Sequence, residues 1–157
     1  MVDMKYTEGT LLVEFQVKSS ALHLNKDFSE SGWGNMGLWE FDVVEVFLQR
    51  KNPDNHYLEL EISPLGQKLA ILIKKPRKDF GIVELEHTQA SAEITSEGFR
   101  ASFQIKDSDI PGGGKEILGN AHACLGREHR NHFSLFEGEV GKPDFHRPEF
   151  FQNIENI

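Results

Sequence analysis

Hydrophobic and polar residues alternate with a period of two along much of this chain. Side chains spaced in this way line one face of a β-strand. No segment with a helical period extends to three turns, so helix is limited to short turns. The pattern therefore predicts an all-β chain whose strands each have one apolar face. The clearest stripes are Leu11, Val13, Phe15 and Val17; Val44, Val46 and Leu48; Leu58, Leu60 and Ile62; and Phe99, Ala101, Phe103 and Ile105.

Turn residues separate these stripes, as in the segments KNPDN (51–55) and SPLG (63–66). Short strands with one apolar face, joined by tight turns, favour two packed antiparallel sheets. The chain has 157 residues, including 12 Phe, and shows no repeat or low-complexity tract. We therefore expect residues 1–157 to form a single β-sandwich domain with little helix and a core of its own.

The charge balance restricts the classes of partner. The formal net charge is −8, which argues against nucleic acid as the main partner. The basic cluster between Lys74 and Lys78 is interpreted as a solvated hairpin end. The sequence shows neither a signal peptide nor a membrane span, which favours a cytoplasmic location, or a secreted or periplasmic one if the N-terminus is truncated. The oligomeric state is left open.

Acidic residues lie within the best strand, and a hairpin around the KNPDN turn pairs them with others. Aligning the apolar faces of the two strands places Glu45 opposite Glu61 and Phe47 opposite Glu59. Like charges directly opposite each other are destabilising. One interpretation is a solvated polar face, where acids cost little. The others are a site whose cation, metal or ligand hydroxyls offset the repulsion, or the carboxylate pair of a glycosidase.

The remaining candidates for chemistry are one cysteine and a group of histidines. Cys124 lies among small residues and is expected to be a buried apolar filler. His122, His129 and His132 match no familiar metal-ligand spacing, so they are interpreted as surface or hydrogen-bonding residues. His146 lies in KPDFHRPEFF (142–151), which is too rich in Pro and Phe for a sheet interior. We expect this segment to fold back over one end of the sandwich.

Two motifs resemble the DOMON-like domains related to family 9 carbohydrate-binding modules. In those domains a tryptophan and an acid precede an acid-bearing strand, followed by a tyrosine-led strand that closes on Ser/Asn-Pro-x-Gly. The C-terminal Asp-Phe-His-x-Pro-Glu signature of many members is similar to residues 144–149 here. The matching residues are Trp39, Asp42, Glu45, Phe47, Tyr57, Glu59, Ser63, Pro64, Gly66, Asp144, Phe145, His146, Pro148 and Glu149.

The resemblance implies a β-sandwich that binds a small saccharide or glycan end without catalysis. Trp39 would stack on the sugar and Glu45 would accept hydrogen bonds from its hydroxyls. Asp42, Pro64, Gly66 and His146 would be structural. The resemblance implies no organic cofactor, although some members bind structural calcium and the sequence does not identify a metal site. Other DOMON domains bind haem, which would need an axial pair such as Met36 with a histidine.

The sugar-binding members also carry a second stacking tryptophan in a late strand. This chain has Phe133, Leu135 and Phe136 there, so we expect Trp33 to be a candidate for the second wall. Further expected site residues are Glu61, Arg127, Asn131 and Phe133. Arg130 is a further candidate donor beside the late strand, and the alternative for Arg127, Arg130 and Asn131 is solvent exposure. Two other functions are considered: an interaction domain with no sugar ligand, and a small glycoside hydrolase that uses Glu45 and Glu61.

Overall fold

The computed structural model describes residues 1–51, 54–137 and 144–154. Its strands, in chain order, are β1 (Val2–Thr7), β2 (Thr10–Lys18), β3 (Val43–Arg50), β4 (Tyr57–Ile62), β5 (Lys68–Lys75), β6 (Asp79–Ile82), β7 (Gln89–Thr95), β8 (Gly98–Lys106), β9 (Ile117–Leu125), β10 (Asn131–Ser134) and β11 (Gln152–Asn153). Helix is limited to 3₁₀ turns at Leu38–Glu40, Asp107–Asp109 and Pro148–Phe150. Within the described residues, no helix is long and apolar enough to cross a membrane.

The strands form two antiparallel sheets that pack face to face. The smaller sheet has the order β1-β2-β8-β7, and the larger has the order β10-β9-β3-β4-β5-β6, with β11 added beside β9. The apolar stripes of β2 and β8 meet those of β3 and β4 in a core of fully buried side chains such as Val13, Phe103, Val46 and Leu60. The expected all-β antiparallel sandwich is therefore confirmed.

The register of the central hairpin is also the predicted one. Glu45 lies opposite Glu61, and Phe47 lies opposite Glu59. Asn52 and Pro53 of the expected turn lie outside the described residues. At the next turn the backbone N–H of Gly66 donates to the Ser63 carbonyl over 3.0 Å, and Gly66 has a φ of 79°. This left-handed conformation favours glycine at the end of the SPLG motif.

The outer face of the larger sheet differs from the sequence expectation. Both faces of β3 and β4 are buried, so the interpretation of a solvated polar face is wrong. A second apolar cluster around Phe47 covers this face, and it includes Leu38 from the β2–β3 connection and Phe151 from the C-terminal segment. The acids therefore lie beneath other parts of the chain.

The C-terminal segment covers a face of the larger sheet rather than an end of the sandwich. The Phe151 ring lies 6.2 Å from Phe47 and 5.3 Å from Tyr57, measured between centroids. β11 then pairs with β9 at its Gly119 end. The expectation of a cap over one end is therefore corrected, because aromatic side chains of this segment pack on the central strands. Lys142 and Pro143, which begin the KPDFHRPEFF segment, lie outside the described residues.

Candidate functional site

A cavity of about 530 Å³ opens on the outer face of the larger sheet. Strands β3, β4, β5, β6, β9 and β10 contribute to it, together with the Leu38–Glu40 turn and the C-terminal segment. Its lining combines aromatic, aliphatic and acidic side chains with two arginines and two histidines. The lining residues are Trp39, Glu45, Phe47, Glu59, Ile71, Ile73, Arg77, Phe80, Cys124, Arg130, His132, Asp144, Phe145 and His146.

Glu45 lies at the base of this cavity with its side chain buried. Its Oε1 atom accepts a hydrogen bond from the Cys124 thiol over 3.4 Å. Burial raises the pKa of Glu45 to about 7, while the Cys124 hydrogen bond and the charge of Arg130 lower it. Near neutral pH the carboxyl is thus present in both protonation states, so it can donate as well as accept hydrogen bonds.

Glu59 and Glu61 extend the acidic group along β4. Burial, and then the charge of Glu45, raises the pKa of Glu59 to about 8 and that of Glu61 well above its ordinary value. The Glu59 Oε2 atom and both Glu61 carboxyl oxygens have no hydrogen-bond partner among the described residues. Glu59 lines the cavity, whereas Glu61 is fully buried and does not line it. Glu59 is thus the second carboxyl that a ligand would meet.

Arg130 fixes the turn that carries Trp39. Its Nη1 atom donates to the carbonyls of Glu40 (3.2 Å) and Gly126 (3.1 Å). Its Nη2 atom donates to the carbonyls of Phe41 (2.6 Å) and Trp39. The guanidinium therefore joins the β9–β10 connection to the Leu38–Glu40 turn, and Trp39 is held at the cavity with 37% of its surface exposed.

The buried His122 and the half-buried His146 complete the aromatic packing. The His146 ring stacks on Phe47 with centroids 5.4 Å apart, and its Nδ1 atom lies 2.8 Å from the Tyr57 hydroxyl. The His122 ring stacks on Phe145 at 3.9 Å. Burial lowers the pKa of both histidines, to about 3 for His122, so both are neutral at pH 7. They serve as uncharged packing and hydrogen-bonding groups.

Asp42 ties together two connections beside the site. Its Oδ2 atom accepts from the His23 backbone N–H over 3.0 Å, and its Oδ1 atom accepts from the Gly126 N–H over 2.7 Å. The side chain is fully buried. These contacts are those of a structural residue, in keeping with the position of Asp42 in the hairpin motif.

Several predicted site residues lie elsewhere. Trp33 is 5% exposed and packs in the core between the sheets, because its carbonyl accepts a hydrogen bond from Ala70 N–H at the edge of β5. Arg127 and Asn131 are exposed and do not line the cavity. Phe133 is 56% exposed but lies on the opposite face of β10 from His132, which does line it. Trp39 and Glu45 are the predicted ligand-binding residues that the structure brings together.

The structure also adds residues that sequence reasoning did not propose for the site. Phe80 lines the cavity from β6 and is 47% exposed, which provides a second exposed aromatic side chain besides Trp39. Phe145 belongs to the C-terminal motif, which could have indicated it. Arg130, by contrast, was a candidate donor to the ligand from its place beside the late strand, but its guanidinium donates to four carbonyl groups from two connections instead.

Candidate metal ligands and the Met36–histidine pair are placed as follows among the described residues. No group of three or more His, Cys, Asp or Glu side chains within 1–51, 54–137 and 144–154 is arranged to hold a metal ion. Met36 is exposed and does not line the cavity to which His132 and His146 contribute. The Met36–histidine pair is therefore not formed there.

Comparison with known structures identifies the fold. A protein of Bacteroides uniformis described as a candidate carbohydrate-binding protein superposes with a TM-score of 0.69 at 16% identity, covering 94% of this chain and 73% of that one. A family 9 carbohydrate-binding module of Caldicellulosiruptor kristjanssonii in complex with glucose gives 0.66 at 15% identity, covering 96% and 72%. This chain has the fold of a family 9 carbohydrate-binding module.

A family 9 module of the same organism in complex with cellotriose gives a TM-score of 0.63 at 13% identity, covering 96% of this chain and 70% of that one. The fold implied by the sequence resemblance to family 9 modules is thus confirmed.

No family model matches the sequence. A curated relative, the UPF0462 protein C4orf33 homolog of Danio rerio, is 29% identical over 127 residues, which cover 75% of this chain. The chain spans about three fifths of that relative's length, 61%.

Proposed function

We propose that this domain binds a saccharide, without catalysis, in the cavity beside Trp39. One observation carries the proposal: the exposed Trp39 indole and the buried Glu45 carboxyl line the same cavity of about 530 Å³. Small-molecule sites commonly measure roughly 300–1,000 Å³ and combine apolar surface with a few fixed polar groups. This cavity has both properties.

The two residues suit the two surfaces of a sugar. An indole ring presents an apolar face on which the C–H face of a pyranose packs. Hydroxyl groups need hydrogen-bond partners, and a charged acceptor makes a bond roughly twice as strong as a neutral one. Glu45 is mounted on a central strand and bonded to Cys124, so its carboxyl is oriented before a ligand arrives.

Phe80 provides the second aromatic surface that the sequence did not identify. The late strand offers Phe133 on the wrong face for this role, whereas Phe80 lines the cavity from β6. A ligand in the cavity would therefore contact aromatic side chains from two separate elements. The similarity of the fold to modules in complex with glucose and cellotriose also supports a saccharide ligand.

The hydrolase hypothesis receives less support from the geometry. A glycosidase needs both carboxyls at the scissile bond. Glu45 lines the cavity, but Glu61 is fully buried and does not line it. The predicted Glu45–Glu61 pair therefore does not face one substrate, and the second carboxyl at the cavity is Glu59 instead. An interaction domain with no sugar ligand is the outcome that remains if saccharides fail to bind.

Isothermal titration calorimetry with glucose, cellobiose, cellotriose and xylo-oligosaccharides tests the proposal. We expect at least one of them to bind, and Trp39→Ala to weaken that binding at least tenfold. Phe133→Ala is the matched control, because it removes an exposed aromatic side chain on the other face of β10. This variant should bind the saccharide with the affinity of the wild type. Failure of every saccharide to bind, or equal binding by Trp39→Ala, would overturn the proposal.

A further inference from the structure

We propose that the preferred ligand of this cavity carries a positively charged amine, as an amino sugar with a free amino group does, and that Glu59 and Glu45 are its counter-ions. The inference rests on the proposed function and narrows its ligand class. Among the described residues, the acids of the cavity are buried without a cation bonded to them.

Glu59 shows the imbalance most directly. Its side chain lines the cavity and is 4% exposed, and its Oε2 atom has no hydrogen-bond partner among the described residues. The Nδ1 atom of His146 lies 3.9 Å from this oxygen. That atom is already 2.8 Å from the Tyr57 hydroxyl, and burial keeps His146 neutral by lowering its pKa. Glu59 also interacts with the Glu61 carboxyl, which lowers the pKa of Glu59 but brings no cation. Its Oε2 atom thus remains an acceptor that a ligand cation can use.

The two arginines of the lining are occupied elsewhere. Arg130 donates to four backbone carbonyls, and Arg77 forms an ion pair with Asp144. Arg130 still lowers the pKa of Glu45 through its charge, but this effect is smaller than that of burial. Neither guanidinium donates a hydrogen bond to Glu45 or Glu59 within the described part of the chain. Both carboxyls therefore lack a bonded cation.

The other titratable groups around the carboxyls do not supply a charge either. Burial lowers the pKa of His122 to about 3 and also lowers that of His132, and it raises the pKa of the Cys124 thiol. Cys124 and His132 line the cavity, His122 lies beside Phe145, and all three are neutral at pH 7. Glu61, the remaining neighbour, is another acid. The surroundings therefore disfavour the ionised carboxylates until a cation arrives.

A ligand ammonium group changes this balance. An ionised carboxylate removed from water is costly unless it is paired, and a cation beside it removes much of that cost. Trp39 and Phe80 favour the same ligand, since a cation is also attracted to an aromatic face. A neutral sugar can bond to a protonated carboxyl, but it gains no charge pairing. An amino sugar should therefore bind more tightly than its neutral counterpart.

Binding of the amine should also release protons. Glu59 and Glu45 have pKa values raised to about 8 and about 7, so near neutral pH they carry protons that an arriving ammonium would displace. The released proton passes to the buffer, and the measured heat then depends on the buffer's ionisation enthalpy. Affinity should rise between pH 5.5 and pH 6.5, where the carboxyls ionise more easily while the amine of the ligand keeps its proton. A neutral sugar would show neither effect.

Calorimetry with three β-1,4-linked disaccharides tests the inference: the glucosamine dimer, its N-acetylated form and cellobiose. We expect the glucosamine dimer to bind at least tenfold more tightly than the other two, with heats that differ between phosphate and Tris buffers. Glu59→Gln should bring the ratio of affinities close to one. Glu14→Gln, which changes an exposed acid on the other sheet, should keep the wild-type ratio.

The outcomes distinguish the two proposals. If cellobiose and the glucosamine dimer bind equally, the charge inference is overturned and saccharide binding stands. If none of the three binds, and the calorimetric panel of neutral sugars also fails, both proposals fall. If Glu59→Gln keeps the full preference for the amine, Glu59 is not its counter-ion. Glu45→Gln repeats the measurement should Glu59→Gln not fold, as judged from its thermal transition.

Discussion

Glu45 lies directly opposite Glu61 across the β3–β4 ladder, and both side chains are buried beneath the segments that cover the outer face. Two ionised carboxylates in these positions would repel each other in surroundings of low polarity. The pKa values of both are raised, chiefly by burial. The native state therefore holds protons that the unfolded chain releases, which links stability to pH.

Stability should fall as the pH rises from 6.5 to 8.5. A carboxyl whose native pKa is raised stabilises the fold fully below its unfolded pKa, and this stabilisation is lost as the pH rises through the native value. For Glu59, with a pKa of about 8, we expect a loss of roughly 1–2 kcal/mol over this interval. Urea denaturation at several pH values measures it.

The variant Glu59→Gln should flatten this dependence, because a glutamine does not titrate. Below pH 6.5 the buried His122 acts in the opposite direction: its lowered pKa makes the unfolded chain bind the proton, so stability falls with falling pH. The change in stability between pH 6.5 and pH 8.5 therefore reports mainly on the glutamates, with little contribution from His122. An equal slope for Glu59→Gln and wild type between pH 6.5 and 8.5 would contradict the expectation.

The period-two pattern was enough to predict the two sheets and the register that places Glu45 opposite Glu61. It could not show that the polar face of β3 is buried, because periodicity describes a strand and not what packs on it. The covering side chains, such as Leu38 and Phe151, come from connections with no repeating pattern. Their placement depends on tertiary contacts far apart in sequence.

The binding-site prediction shows the same limit. Trp39 and Glu45 line one cavity, and both belong to a motif that fixes their spacing. Trp33 was expected at the site because tryptophan is a common stacking residue, yet hydrogen bonding at the edge of β5 turns it into the core. Residue type alone therefore did not determine which face a loop tryptophan would take.

Replacing Arg130 should loosen the turn that carries Trp39. Arg130→Ala removes hydrogen bonds to four carbonyls, and we expect it to lower the free energy of unfolding by roughly 1–3 kcal/mol. Acrylamide should then quench the Trp39 fluorescence more strongly. Arg127→Ala is the matched control, because Arg127 is exposed, and it should change stability by less than about 0.5 kcal/mol. Equal effects would argue against this role.

The Cys124 thiol should be unreactive in the folded protein. Burial, followed by the charge of Glu45, raises its pKa, so the thiolate that attacks disulfide reagents is suppressed. We expect Ellman's reagent to modify the native protein far more slowly than the protein in 8 M urea at the same pH. Rapid modification of the native chain, with its thermal transition unchanged, would show that the base of the cavity is open to solvent.

Gly119 and Gly81 should respond in opposite ways to replacement by alanine. A Cβ atom at Gly119 would lie 2.4 Å from the Phe47 carbonyl oxygen and 2.9 Å from Leu48 Cδ2, so β9 could not approach β3 as closely. We expect Gly119→Ala to destabilise the fold by about 1–3 kcal/mol.

At Gly81 a Cβ atom meets no atom within 4 Å. Gly81→Ala should therefore stabilise the fold by about 0.4–1 kcal/mol, because alanine lowers the conformational entropy of the unfolded chain. Because Gly119 also pairs with β11, its variant should expose the C-terminal segment to proteolysis, whereas Gly81→Ala should not. Equal resistance of the two variants would mean that β11 does not depend on this close approach.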